Sequence, residues 1–231
     1  MHGLGVSSNI WDGFAPLLDG KVITKDLPGH GNSQIRRYDW DGLWLDISDS
    51  IAPDEWEKTI VVLHSFAAAL LPEIVETDVR PAYVIFLEGI LHYQDIYWSN
   101  DIALKSEEEY EIWLKRFRSV SYMALKSQLV AKSSRSEILK WSSSFREVNG
   151  IALRSIAMSL RERLLKDELR HSFGKIKFTV KYVKGEKSKV IAADFLKEVG
   201  VEDYWIMPNA GHFPMIDAPI LLSSKLNELN D

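Results

Sequence analysis

Four short motifs carry the side chains of this chain that could do chemistry. Ile60–Ala69 (IVVLHSFAAA) is an apolar, β-branched run that turns abruptly into a strong helix opening, with Ser65 at the junction. A hydroxyl in that place is either an N-cap, accepting a free backbone N–H of the first helical turn, or a nucleophile. As a nucleophile it is weak until a base takes its proton during attack. Asn209–Pro214 (NAGHFP) puts a base of the right type, His212, on a loop after a weak strand signal. Asp26–Ser33 (DLPGHGNS) is a glycine-rich turn, and His2–Gly5 (HGLG) opens the chain. The chain has no cysteine, which excludes thiol catalysis, disulfides and thiolate-bound metals. No His/Asp/Glu spacing of a metal site and no G-x-x-x-x-G-K-[ST] phosphate loop occurs, so no metal and no cofactor is expected.

The elements that must position these motifs alternate. Lys21–Asp26 (KVITKD), Thr59–His64, Ala82–Glu88 (AYVIFLE) and Lys177–Val183 (KFTVKYV) read as strands, with Asp203–Met207 (DYWIM) a weaker fifth. The second and third are nearly continuous apolar runs, as parallel strands covered on both faces require. Helical patterns fall around Gly42–Ile51, Ala67–Glu76, Ala192–Val199 and Ile220–Leu229. Strands alternating with helices predict a mostly parallel, doubly wound α/β sheet, with ligands at the carboxyl ends of its strands. Between Tyr93 and Ser172 the alternation stops, and only helical periodicity appears, as in Glu107–Phe117 and Ile151–Leu165. An all-helical insertion between two strands reads as a lid over the strand ends. The expected organisation is a core of residues 1–92 and 173–231 carrying a helical insertion of residues 93–172.

A chain of 231 residues, 46% apolar and 26% charged, has the composition of one sizeable globular domain. No run approaches the ~18 apolar residues of a membrane span, and Met1–Gly5 lacks the charged and apolar regions of an export signal, so the cytoplasm is the expected compartment. A net charge of −5 argues against nucleic-acid binding. The charge is uneven. Lys115–Arg163 holds eleven Lys/Arg against three Asp/Glu, a balance of +8 that leaves −13 for the rest. Solvated helix faces are the plain account of such a stretch.

Taken together and in this order, the motifs resemble the α/β-hydrolase fold family, in which a His-Gly-x-Gly loop is followed by D-x-P-G-x-G-x-S, a serine elbow and a final G-H-x-P. The resemblance spans essentially the whole chain, and the helical insertion sits where that family places its cap. It implies that Ser65 is the nucleophile and His212 the general base. It also implies an oxyanion hole built from the backbone N–H groups of Phe66 and Leu4. The acid is less direct. The family commonly has an aspartate after the strand matching Lys177–Val183, where this chain has Ser188. Some members take the acid from the end of the strand matching Ala82–Glu88, which makes Glu88 the candidate, with Glu186 and Asp194 behind it.

Two further departures set expectations. The elbow reads Leu63-His-Ser-Phe-Ala67 where the family prefers Gly-x-Ser-x-Gly, so Leu63 must splay into the core or relax the turn. In the family a strand precedes the His-Gly loop and lies between those matching Lys21–Asp26 and Thr59–His64, whereas here only Met1 precedes His2. Either these two strands pair directly or the N-terminal strands of the family are lacking, with the Leu4 loop tethered on one side only. His30 and His64 match positions that are structural in the family.

The resemblance implies a cofactor-free, carboxylesterase-like serine hydrolase that cleaves an ester or related acyl bond through an acyl-enzyme on Ser65. Its expected partner is a small-molecule ester or acyl substrate, with an acidic acyl-carrier-linked ester as a form the basic stretch would suit. The rival expectation is a non-catalytic binding module that keeps the fold with a degraded site. Leu63, Ser188 and the absent strand favour it.

Overall fold

The computed structural model describes residues 1–190, 192–202 and 204–230. In chain order the core elements are α1 (Trp40–Ser48), β1 (Ile60–His64), α2 (Leu71–Glu76) and β2 (Tyr83–Leu87). Six helices follow before the next strand: α3 (Tyr97–Leu104), α4 (Glu107–Ser119), α5 (Ser121–Lys126), α6 (Arg135–Glu147), α7 (Gly150–Leu165) and α8 (Glu168–Phe173). The chain then returns through β3 (Thr179–Gly185), α9 (Ala192–Glu198), β4 (Tyr204–Met207), α10 (Pro214–Asp217) and α11 (Pro219–Asn227). The expected fifth strand thus begins at Tyr204, and Asp203 lies outside the described residues.

The four strands form one parallel sheet in the order β1-β2-β3-β4. Register pairs His64 with Leu87 and Leu87 with Val183, so β1, β2 and β3 bring their carboxyl ends level. The two faces of the sheet are covered by different cores. Leu63, Val84 and Phe86 pack into one, with Trp44, Phe66 and Leu70, and Ile85, Leu87 and Val183 into the other, with Trp11, Phe145 and Met207. Burial on both faces is why the strands read as unbroken apolar runs.

Lys21–Asp26 is not a strand. It makes no ladder pairing, and Val22 and Ile23 remain 39% and 40% exposed. A groove of about 590 Å³, lined by Val22, Ile23, Ile60 and Val62, separates it from β1. β-branched residues favour a strand only where a neighbour supplies the hydrogen bonds, and this segment has none. Met1 pairs with the edge of β1, its ammonium donating to the Val62 carbonyl (2.6 Å) and its carbonyl accepting from the His64 N–H (3.2 Å).

Polar ties fix the helical segment to the sheet. Arg163 of α7, 7% exposed, donates a bidentate pair to Glu73 of α2 (2.6 and 2.7 Å), reaches the Ala69 carbonyl, and stacks 4.3 Å over Trp40. Burial pushes the Glu73 carboxyl up against the lowering effect of Arg163. At the other end Asp217 accepts from the N–H groups of Val130, Ala131 and Gly211 (2.8–2.9 Å). Serine N-caps closed by glutamates, Ser106 with Glu109 and Ser134 with Glu137, start α4 and α6.

Candidate active site

The elbow forms where β1 runs out. Ser65 follows His64 with φ = +59°, a left-handed conformation that a non-glycine residue adopts only where its surroundings impose it. The following turn, Ser65–Leu70, is a tight 3₁₀ helix, and the α-helix begins only at Leu71. Pro72 contributes to the delay: it has no N–H to donate to the Ala68 carbonyl, so no α-type bond closes across the turn there. Leu63 is fully buried in the core, so it splays inward and leaves the turn intact. Ser65 is not an N-cap; His64 holds that position.

The Ser65 hydroxyl lies 3.0 Å from His212 Nε2. His212 Nδ1 lies 3.2 Å from Glu88 Oε2, and the Glu88 side chain is fully buried. Glu88 follows directly on β2 with φ = +51°, so it too is held in the left-handed region. The Gly185 N–H donates to Glu88 Oε1 (2.6 Å), and the Ser188 hydroxyl donates to Oε2. Ser188, which stands where the family commonly has its acid, therefore holds the Glu88 carboxylate that meets His212. The structure does not bring the other two carboxylates here. Glu186 accepts from the Asn209 N–H (3.0 Å) and pairs with Lys187, and Asp194 is exposed on α9.

The His-Gly loop closes over the elbow. A Cβ on Gly3 would stand 2.9 Å from His64 Nδ1 and 3.1 Å from Ser65 Cβ, so only glycine allows the contact. The backbone N–H groups of Leu4 and Phe66 have no hydrogen-bond partner among the described residues. The loop is tethered on both sides. Besides the Met1 pairing, His2 Nε2 accepts the Leu27 N–H (2.9 Å) and His30 Nε2 accepts the Gly5 N–H (3.1 Å). Each of these rings uses its other nitrogen to donate to a carbonyl, of Gly3 and Pro28, which fixes both as neutral tautomers. Burial pushes His2 well below the usual histidine range and His30 down to about 4.

His64 does more than its sequence position suggests. It donates from Nε2 to the His212 backbone carbonyl (2.8 Å), its ring lies 5.0 Å from that of His212, and burial holds it neutral. A cavity of about 810 Å³ opens over Ser65 and His212, walled on the far side by Trp98, Trp113, Phe117 and Phe145 of the helical segment. His64, Ser188 and Asp217 carry no motif of their own. Only loop geometry shows their parts.

The basic stretch is dispersed. Arg163 is buried, Arg154 and Arg118 donate to the carbonyls of Lys105 and Val148, Arg161 binds Asn100, and Lys140 pairs with Asp12. Arg116 lines the cavity. Among the described residues no cluster of His, Asp and Glu could hold a metal ion, and no helix is long and apolar enough to cross a membrane.

Solved structures share this architecture. An esterase from Exiguobacterium antarcticum superposes with a TM-score of 0.79 at 14% identity, covering 100% of this chain and 90% of its own. Cfl2 from Burkholderia cenocepacia gives 0.80 at 17%, covering 99% and 86%, and a bromoperoxidase from Bacillus anthracis 0.76 at 16%, covering 99% and 88%. At such identities the likeness is one of fold. No curated protein matches the chain by sequence. The model of the alpha/beta hydrolase family matches residues 1–222, nearly the full length, so elbow, His-Gly loop and histidine loop fall within a single match and the chain belongs to that family.

Proposed function

We propose that the protein is a carboxylesterase-like serine hydrolase, cleaving an ester or related acyl bond through an acyl-enzyme on Ser65. The observation that carries this reading is the 3.0 Å contact of the Ser65 hydroxyl with His212 Nε2 at a left-handed turn beneath a cavity. In this reading residues 93–172 are a cap over a core of 1–92 and 173–231. Ser65 Oγ attacks the carbonyl carbon as its proton passes to His212 Nε2. Glu88, held by Gly185 and Ser188, orients the ring through Nδ1 and stabilises its charge. The oxyanion falls to the N–H groups of Leu4 and Phe66, which nothing else in the described chain uses. His212 then returns its proton to the leaving oxygen, and a water molecule, activated by the same ring, releases the acid and regenerates Ser65.

A fluorophosphonate probe tests this reading, since it labels an activated serine whatever the substrate. The wild-type protein is expected to be labelled and Ser65→Ala not. Labelling that persists in Ser65→Ala would refute the assignment, and an unlabelled wild type would leave a binding module with a degraded site as the better account. The substrate is a small-molecule ester; the acyl-carrier form is tested separately. If the basic stretch recruits an acidic carrier, turnover of the carrier-linked ester falls steeply with added salt while that of a small neutral ester does not.

A further inference from the structure

Asp217 ends α10, one helical turn beyond His212, and its carboxylate is shared between two parts of the chain. Oδ2 accepts the N–H of Gly211 (2.8 Å), the residue before His212. Oδ1 accepts the N–H groups of Val130 (2.9 Å) and Ala131 (2.8 Å), in the loop between α5 and α6. One side chain therefore joins the helical segment to the loop of the candidate base. The two loops also touch directly. A Cβ on Gly211 would stand 2.7 Å from the Gln128 carbonyl oxygen and 3.4 Å from the Val130 side chain, a fit that only glycine allows. Ser127–Val130 and Gly211–Phe213 line the cavity over Ser65 together. The wall beside His212 is made in part by the helical segment's own loop.

The holds on His212 itself come from the core. Ser65 and Glu88 meet its ring nitrogens, and His64 donates to its backbone carbonyl (2.8 Å). Asp217 acts one residue earlier and differs in kind, because the carboxylate that fixes Gly211 is itself fixed by Val130 and Ala131. Bonds from N–H groups to a carboxylate are charge-assisted and stronger than neutral ones, so the link is stiff while all three are made. We propose, resting on the serine-hydrolase reading, that Asp217 is a positioning residue that makes the placement of His212 depend on the seating of the helical segment. With the 127–131 loop seated, Oδ2 is aimed at Gly211 and His212 Nε2 stays within reach of Ser65. With the loop lifted, the carboxylate is free to turn toward water, Gly211 loses its anchor, and the imidazole drifts from the line between Ser65 and Glu88. Proton transfer needs hydrogen-bond reach, and a misplacement of about 1 Å can cost about 10²-fold in rate. Reactivity of Ser65 is thereby tied to a closed cavity wall.

Variants that leave Ser65, His212 and Glu88 in place separate this coupling from plain support. Asp217→Asn keeps one carbonyl oxygen and cannot hold both loops. Val130→Pro removes one N–H on the helical side, outside any helix or strand, and leaves the Gly211 bond alone. Ala131→Pro removes the other N–H and serves where the first variant does not fold. The rate at which a fluorophosphonate labels Ser65 is expected to fall at least about tenfold in Asp217→Asn and at least about threefold in the proline variant. The double variant should be no slower than Asp217→Asn, since both changes break one link. Wild-type labelling in the proline variant, or losses that multiply in the double variant, overturns the coupling. Amide hydrogen exchange reads the same link without any reaction. Asp217→Asn should speed exchange in 127–131 and 209–213 together, and the proline variant should speed it in 209–213 as well. Faster exchange confined to the altered loop overturns the proposal. If the wild type is not labelled while exchange behaves as expected, the link stands and the hydrolase reading fails.

Discussion

Ser188 is the residue whose sequence position and structural place say different things. By position it stands where the family commonly has its acid; in space it is the hydrogen-bond donor that holds Glu88. Two expectations follow from that exchange. Glu88→Ala should lower kcat on the order of 10³-fold, since His212 loses the partner that fixes its tautomer and offsets its charge. Adding Ser188→Asp to that variant puts a carboxylate at the place the family commonly uses, and kcat should recover at least tenfold. Steady-state kinetics with an aryl ester decide it, and no recovery would mean that position 188 cannot reach His212 by itself. That Ser65, His212 and Glu88 would lie close together was legible because each follows a strand or sits in a motif whose order along the chain is informative. Ser188, His64 and Asp217 were not legible, because their parts depend on where a loop lies in space, which residue types do not encode.

The elements were read as well as their neighbours allowed. β1 and β2 announced themselves because both faces are buried, and the helical segment because its periodicity persists without a strand. Lys21–Asp26 carried the same β-branched signal and failed, since a strand is a property of a pair. The start of α2 was misplaced in part because Pro72 closes no α-type bond to Ala68, and the elbow is a 3₁₀ helix first. No periodicity could have shown that Arg163, in the basic stretch, turns inward to Glu73. That pair ties α7 to α2 with both side chains at or below 10% exposure. Arg163→Met should therefore cost about 3–5 kcal/mol by stranding a buried carboxylate, whereas Arg163→Met with Glu73→Leu should regain most of it. Urea unfolding midpoints of the wild type and the two variants measure this. Equal losses in both variants would place the stabilisation in packing on Trp40 instead.

At the scale of the molecule, three buried neutral histidines surround the mouth of β1. Their folded-state pKa values are depressed: His30 to about 4, and His2 and His64 well below 6.5. Above about pH 6.5 neither state binds protons on these rings, and stability is unaffected. Below it the unfolded chain takes up protons that the folded chain refuses, so stability falls as pH drops from about 6.5 toward 4. Each ring contributes about 1.4 kcal/mol per pH unit within that window. Thermal unfolding at pH 7.5, 6 and 5 should show Tm falling progressively, and His30→Gln should flatten the slope by one ring's share. A Tm independent of pH between 7.5 and 5 would show that these rings ionise freely in the fold. The total of −5 in composition gave no hint of this acid sensitivity, which belongs to burial alone.

The aromatic wall of the cavity has one more property. Of the eight tryptophans in the chain, Trp98 and Trp113 stand in the cavity lining, 5.9 Å from each other. Both indoles are therefore placed to report by their fluorescence on what enters. A ligand that displaces water from that wall should shift their emission to the blue and shield them from iodide quenching, and Trp98→Phe/Trp113→Phe should silence the change while the other six emit as before. The molecule carries its own optical gauge of occupancy, readable before any bond is broken.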